Sequence, residues 1–396
     1  MAYVLEGSVR SVGNVARITA SLVEMESGLP VWSETYERSI EKIFAVQDEI
    51  ARAIATALEL ELGISNAVPN RTTDMAAYDS YLRGRAALRK RDGNAINLLE
   101  RATQQDEGFA PAWASLAIAY QSVLGDHVKT IDAAQRALAI DASNIDALTA
   151  MGSVLRQERR WTESEAFFKR ALAIDPGSAE LLEDYAEFLN VVGRSHEALE
   201  VAERGMEIDP RIQPLVAAYA EALLSVGRPG EARKVVVESL EAQGDQAGLW
   251  WASMPLWLLT DPEPKLTQLT PTGYSASVEY LRGILASPGD QALSELEAIL
   301  DNRRNNRPDA LIGRREARLL LIYFGEVDLV IAKDIEDPTF FPSGAREWLW
   351  SPLFEDYRSH PKFPEFLARV GITDYWDATT LPPTCQKLAN DTILCQ

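Results

Sequence analysis

The sequence predicts a mainly α-helical chain: a right-handed solenoid of paired helices behind a small N-terminal α+β unit made of a three-stranded meander and one helix. Two patterns predict it. Residues 145–178, 179–212 and 213–246 align without a gap at a period of 34, the spacing of a helix–turn–helix unit. The first 38 residues instead alternate with the period of strands. A composition of 46% hydrophobic and 25% charged residues is that of a folded domain and excludes wholesale disorder.

The N-terminal elements follow from their turn signals. Gly13-Asn14 and Ser27-Gly28 interrupt the alternation, giving strands over 3–11, 15–25 and 30–37. Ile18, Ala20 and Leu22 fall on one face of the middle strand, and Arg17, Thr19 and Ser21 on the other. Ser39 is placed to cap a helix carrying Val46, Ile50, Ile54, Leu58 and Leu62 on one stripe, ending at Gly63. That helix can cover one face of the sheet. The unit therefore spans 1–63, and 64–75, with Pro69, Asn70 and paired threonines, is a linker.

The helical pairs occupy 76–246. In the 34-residue frame the eighth position is Gly152, Ala186 and Ala220; the twentieth is Ser164, Ala198 and Ala232; the twenty-seventh is Ala171, Gly205 and Ser239. All are small, as two closely crossing helices require, with bulky Tyr185 and Phe168 between. Ile174-Asp175-Pro176 recurs as Ile208-Asp209-Pro210, and Gly193 as Gly227. An earlier unit, with Trp113, Leu116, Ala117, Tyr120, Ala137 and Ile140-Asp141, fits after one inserted residue near Asp126, and a first unit around Tyr81, Gly84 and Ala102 fits less well. Each pair has too little partner surface alone, so the next must cover it. Beyond 247 the period fades, but helices are expected over 275–286, 289–302, 308–324 and 326–336, with Gly325 at a turn. Residues 247–384 thus form degenerate repeats and a cap, followed by the tail 385–396.

Charge and motif content narrow the function. With 39 Lys and Arg against 59 Asp and Glu the chain carries a net charge of -20, which repels phosphate backbones and anionic headgroups and excludes nucleic acid as a partner class. No apolar run is long enough for a membrane helix, and Met1-Ala-Tyr-Val-Leu-Glu lacks the layout of a signal peptide. The expectation is a cytoplasmic chain if Met1 is the native start, and a periplasmic one if a membrane span precedes it. His127, His196 and His360 lie in separate segments, Cys-x-x-Cys is absent, and no nucleophile elbow, phosphate loop or dinucleotide fingerprint occurs, so neither metal, cofactor nor catalysis is expected. Trp250, Trp251, Trp257, Trp348, Trp350 and Trp376 follow the regular repeats, as core of irregular helix pairs or as an aromatic pocket for a small ligand. Cys385 and Cys395 are either free thiols in a reducing compartment or a pair closing a short loop in an oxidising one.

Small residues, turn glycine and terminal Asp-Pro recurring in phase resemble the tetratricopeptide repeat. The resemblance implies a groove for extended or helical peptides lined by the second, fifth, ninth and twelfth positions of each unit. These are Asp146, Thr149, Ser153 and Arg156; Glu180, Glu183, Glu187 and Asn190; and Pro214, Ala217, Glu221 and Leu224. The Lys and Asn clamp for a partner's C-terminal carboxylate is absent from them. Between Ala179 and Asp209 nine acids face two arginines, a net of -7, so the expected partner is a basic or amphipathic protein or peptide and the expected function a non-enzymatic interaction scaffold. A solvated acidic face that binds nothing is the alternative for the same residues.

Three further segments, Tyr3-Val-Leu-Glu-Gly-Ser-Val-Arg10, Gly28-Leu-Pro-Val-Trp-Ser-Glu-Thr-Tyr36 and Ile43-Phe-Ala-Val-Gln-Asp-Glu-Ile-Ala51, resemble the second half of the TolB amino-terminal-like domain. In bacterial proteins that domain commonly precedes such repeats, behind a nucleotide cyclase or a winged-helix module. The tail Pro352-Leu-Phe-Glu-Asp-Tyr-Arg-Ser-His-Pro-Lys-Phe363, with Tyr375-Trp376 and Cys385, resembles the ending of those chains, which implies an anchored tail with Cys385 and Cys395 paired. The preceding strands of the domain are missing, so the expectation is either a half-domain that finds a partner strand elsewhere or a truncated start. A second reading of function follows from this, the detached sensory half of a cyclase or transcriptional regulator.

Overall fold

The computed structural model describes residues 3–12, 14–25, 28–39, 72–90, 92–243, 254–256, 258–259, 275–301, 312–338, 349–388 and 393–395. The helix expected over 39–63, most of the linker, and Trp250, Trp251, Trp257 and Trp348 lie outside these residues. The chain divides into two compact units, Met1–Ala112 and Trp113–Gln396.

In the first unit, β1 (Tyr3–Val12), β2 (Val15–Glu24) and β3 (Pro30–Ser39) form an antiparallel sheet in the order β1-β2-β3. The alternation that predicts it is visible in the side chains. Ala16, Ala20, Leu22 and Tyr36 are buried on one face. The other carries cross-strand polar pairs: Arg17 with Glu37, Thr19 with Thr35 at 3.3 Å and Ser21 with Ser33 at 2.7 Å. Then α1 (Met75–Arg89), capped by the Asp74 carboxylate, packs on α2 (Asn94–Gln105). Gly84 is the contact point, since a Cβ there would lie 2.7 Å from Leu99 Cγ.

The next helices along the chain are α3 (Ala110–Ala119), α4 (His127–Ile140), α5 (Ile145–Gln157), α6 (Trp161–Ile174), α7 (Ala179–Val191), α8 (Ser195–Ile208), α9 (Gln213–Ser225) and α10 (Pro229–Gln243). The starts of α5, α7 and α9 are 34 residues apart, as are those of α6, α8 and α10. All nine small positions of the frame are buried. A Cβ on Gly152 would lie 2.8 Å from the Phe168 ring, and Ser164 donates to the Gly152 carbonyl at 2.7 Å, so the helix crossing leaves no room at either. The extra residue of the earlier unit is taken up by a π-helical turn, Tyr120–Leu124, just upstream of Asp126. After it the register is restored, with Gly125, Arg159, Gly193 and Gly227 in phase and all at positive φ.

Local hydrogen bonds explain the other recurring letters. The Asp141, Asp175 and Asp209 carboxylates each accept from the N–H two residues on at 3.0 Å, turning the chain between units. At the start of each outer helix an arginine forks onto the glutamate three residues later: Arg160 on Glu163, Arg194 on Glu197 and Arg228 on Glu231.

The C-terminal region holds α11 (Ser275–Ala286), α12 (Asp290–Asp301), α13 (Arg314–Tyr323) and α14 (Val327–Glu336), with Gly325 at φ 87° in the last turn; α13 starts at Arg314 and not at the expected 308, and 308–311 lie outside the described residues. A 3-10 turn (Pro352–Phe354), α15 (Glu355–Ser359), α16 (Phe363–Arg369) and α17 (Ile372–Ala378) follow, and the hairpin β4 (Cys385–Lys387) and β5 (Ile393–Cys395) closes with Cys385 and Cys395 joined. The described part of this region packs on the repeats. Its Leu319, Ile331, Phe354, Tyr357, Phe363 and Trp376 share one core with Trp161, Tyr185, Phe188 and Leu189 of the repeats. Burying each such side chain contributes roughly 1.5–3 kcal/mol.

Candidate functional site

The expected groove lies on the inner helices α5, α7 and α9, and the structure shows each of its residues. Glu180 is exposed and Glu183 half-buried, whereas Asn190, Glu221 and Leu224 are only 1%, 4% and 0% exposed. Those three are unavailable to a partner in this structure, and the physical reason is that neighbouring helices pack over and bond to this face. Asn190 Nδ2 donates to the Ala218 carbonyl at 3.2 Å, tying α7 to α9. Ser153 donates to Asp184 at 3.3 Å, and Arg156 forms an ion pair with Glu187 at 2.8 Å, tying α5 to α7.

Carboxylates dominate the face all the same. Those of Glu183, Asp184 and Glu187 lie within 4.8 Å of one another. The countercharge comes from Arg156 and from Arg315, a residue of α13. Burial lowers the Arg315 guanidinium from its ordinary value, and the carboxylates of Glu221, Glu316 and Glu187 act against that loss. The inner face therefore holds a cation supplied by the chain itself. Periodicity could not reveal Arg315, because it stands outside the repeats.

A second polar cluster joins α6 and α8 to α17. Arg194 donates to the Tyr375 hydroxyl at 2.8 Å, Tyr375 donates to Glu165 at 3.1 Å, and Tyr185 donates to Glu165 at 3.2 Å. Burial pushes the Glu165 carboxyl up, but hydrogen bonds from Lys169 and Arg194 outweigh it and hold the group below the usual carboxylate range. Three indoles add directional contacts: Trp161 donates to the Val370 carbonyl, Trp350 to that of Val191 and Trp376 to that of Val192, at 2.9, 3.2 and 2.8 Å. Trp350 and Trp376 are thus core residues with satisfied N–H groups.

No family model matches the chain. It is similar to a thermophilic tetratricopeptide protein of Thermus thermophilus, at 18% identity and a TM-score of 0.43, over 46% of this chain and all of that one. PilF of Pseudomonas aeruginosa is similar at 19% identity and a TM-score of 0.41, over 56% of this chain and 97% of that one. The helical array is of the tetratricopeptide type. Its 34-residue register, in-phase left-handed turns and small crossing residues establish this, rather than these partial overlays. Among curated proteins, "Putative adenylate cyclase 3" of Rhizobium meliloti (strain 1021) is 33% identical over 179 residues, 41% of this chain. The match spans only 30% of the length of that relative. Among the described residues no helix is long and apolar enough to cross a membrane.

Proposed function

We propose that this chain is a non-enzymatic protein interaction scaffold whose inner tetratricopeptide face receives a basic or amphipathic segment of a partner. The observation that carries the reading is Arg315, a buried guanidinium under the charges of Glu187, Glu221 and Glu316. The chain's own cation marks what this face accepts: a positive group on an apolar stem. Access for a partner is at the edge of the face, where Glu180 and Glu183 remain exposed or half-buried and Pro214 and Ala217 offer apolar surface. Acidic side chains gathered there steer cationic partners and repel acidic ones.

The test is a peptide array or pull-down with the full chain and its Glu180→Lys/Glu183→Lys variant. Charge reversal at these two sites leaves the buried hydrogen bond of Asn190 to the Ala218 carbonyl intact. Partners should be lost by the variant, and from the parent as ionic strength rises toward 1 M, where the Debye length falls to about 3 Å. Equal retention by both, at low and high salt, would overturn the proposal.

A second reading is favoured by the match to the cyclase relative. In it the segment is the regulatory part of a longer multidomain protein, and β1–β3 complete a TolB-like domain. Reading the DNA upstream of the codon for Met1 tests it. An in-frame catalytic or DNA-binding module would support it, and a stop codon followed by a ribosome-binding site would remove it.

A further inference from the structure

A cavity of about 230 Å³ lies where the turns after α7 and α9 meet the C-terminal region. Its wall includes Ser195 and His196 of α8, Ser225 at the end of α9, and Trp350, Glu355 and Arg358. It is smaller than the roughly 300–1,000 Å³ of sites for drug-sized ligands, so it suits a metabolite of a few heavy atoms.

Arg358 gives the cavity its chemistry. It is 6% exposed, and its Nη1 donates to the carbonyls of Leu349 and Ser351, both at 2.7 Å. Its Nε is buried with no acceptor among the described residues, and no carboxylate there lies within ion-pair distance of it. Burial draws the guanidinium down to about 10 while Glu355 acts against it, so at neutral pH it stays charged. A buried cation held only by neutral carbonyls is costly unless an anion joins it.

Two further features favour the same sign of ligand. Ser195 and His196 open α8, whose N-cap Arg194 makes no side-chain cap to its first turn, leaving main-chain N–H groups and the positive end of the helix at the wall. Ser225 Oγ is buried and without a partner among the described residues. Glu355, exposed on the same short helix as Arg358, opposes a doubly charged anion and would pair with a cationic group three residues from the guanidinium. Trp350, its N–H engaged by Val191, offers ring surface.

We propose that this cavity binds a small zwitterionic carboxylate, an α-amino acid or close analogue, with its carboxylate on Arg358 and the first turn of α8 and its ammonium toward Glu355. The proposal is independent of the peptide-binding reading, because none of these residues lies on the inner face. The experiment is calorimetric titration and thermal shift of the full chain with the α-amino acids, alongside matched amines lacking the carboxylate, matched acids lacking the amine, and inorganic phosphate and sulfate. At least one amino acid should bind and raise the melting temperature, and removing its carboxylate should weaken binding about tenfold or more, the loss of one charge-assisted contact. Ser225→Ala, which removes a hydroxyl with no protein partner among the described residues, should weaken binding severalfold without altering unfolding. Glu355→Gln should reduce affinity for the amino acid but not that for the deaminated acid, which no longer meets a repelling charge and should bind as well or better. The proposal is overturned if no amino acid binds, if phosphate, sulfate or the deaminated acids bind as tightly, or if both variants bind like the parent.

Discussion

Gly193 and Gly227 hold the same place in successive repeats, at φ values of 82° and 77°, yet their surroundings differ completely. A Cβ on Gly193 would sit 2.8 Å from the Trp350 ring, whereas one on Gly227 meets nothing within 4 Å among the described residues. Arg159, one repeat earlier, adopts φ 61° with a side chain and donates from it to the Pro338 carbonyl at 2.6 Å. The repeat sets the backbone of all three turns. The C-terminal region decides which of them it contacts.

The largest expected effect tests that separation. Gly193→Ala should cost about 3 kcal/mol, combining a left-handed penalty of roughly 1–2 kcal/mol with overpacking against Trp350 of roughly 1–3 kcal/mol. Gly227→Ala should cost only the first part, about 1 kcal/mol. Urea denaturation of both measures the difference, and equal losses would mean that Trp350 does not rest on the turn.

Next is the polar cluster. Tyr375→Phe leaves half-buried Arg194 and buried Glu165 short of a partner and should cost about 2 kcal/mol. Arg228→Ala, which breaks the corresponding but exposed fork onto Glu231, should cost less than about 1 kcal/mol. Ala186→Leu should overpack the α7–α8 crossing by roughly 1–3 kcal/mol. Ala220→Leu should do the same at α9–α10, since both crossings belong to the repeat and not to what covers it.

The smallest effect is one of pH. Glu165 is held below the ordinary carboxylate range by Lys169 and Arg194 once burial is overcome. Its contribution is therefore present above its unfolded-state value, about 4.3, and disappears as pH falls through the lower folded value. Melting temperatures of the parent should converge on those of Glu165→Gln below that point and exceed them at pH 7. A constant gap across the range would contradict the assignment.

The two regions are also unequally legible in the sequence. Ala186, Ala220, Gly193 and Asp209 can be read because each repeat makes the same contact with the next, so a requirement of packing becomes a period in the sequence. Alternation likewise exposes β1–β3. Arg315, Tyr375 and Arg358 carry no such signal. Each makes a contact formed once, Tyr375 with Arg194 and Glu165 across about two hundred residues and Arg358 with the carbonyls of Leu349 and Ser351 just before it, and no repeated spacing records either kind. The same limit applies to the groove, where register places Asn190, Glu221 and Leu224 on the inner face, but only the fold shows that they are buried.

A single core shared by the C-terminal region and the repeats it covers should unfold as one unit. Native-state hydrogen exchange of the full chain, followed with increasing denaturant, tests this most directly. Amides of α7, of α13 around Leu319–Leu321 and of α17 around Tyr375 should open together, at one free energy and with one denaturant dependence. Opening of α13 and α17 at a distinctly lower free energy, while α5–α8 keep their protection, would contradict it.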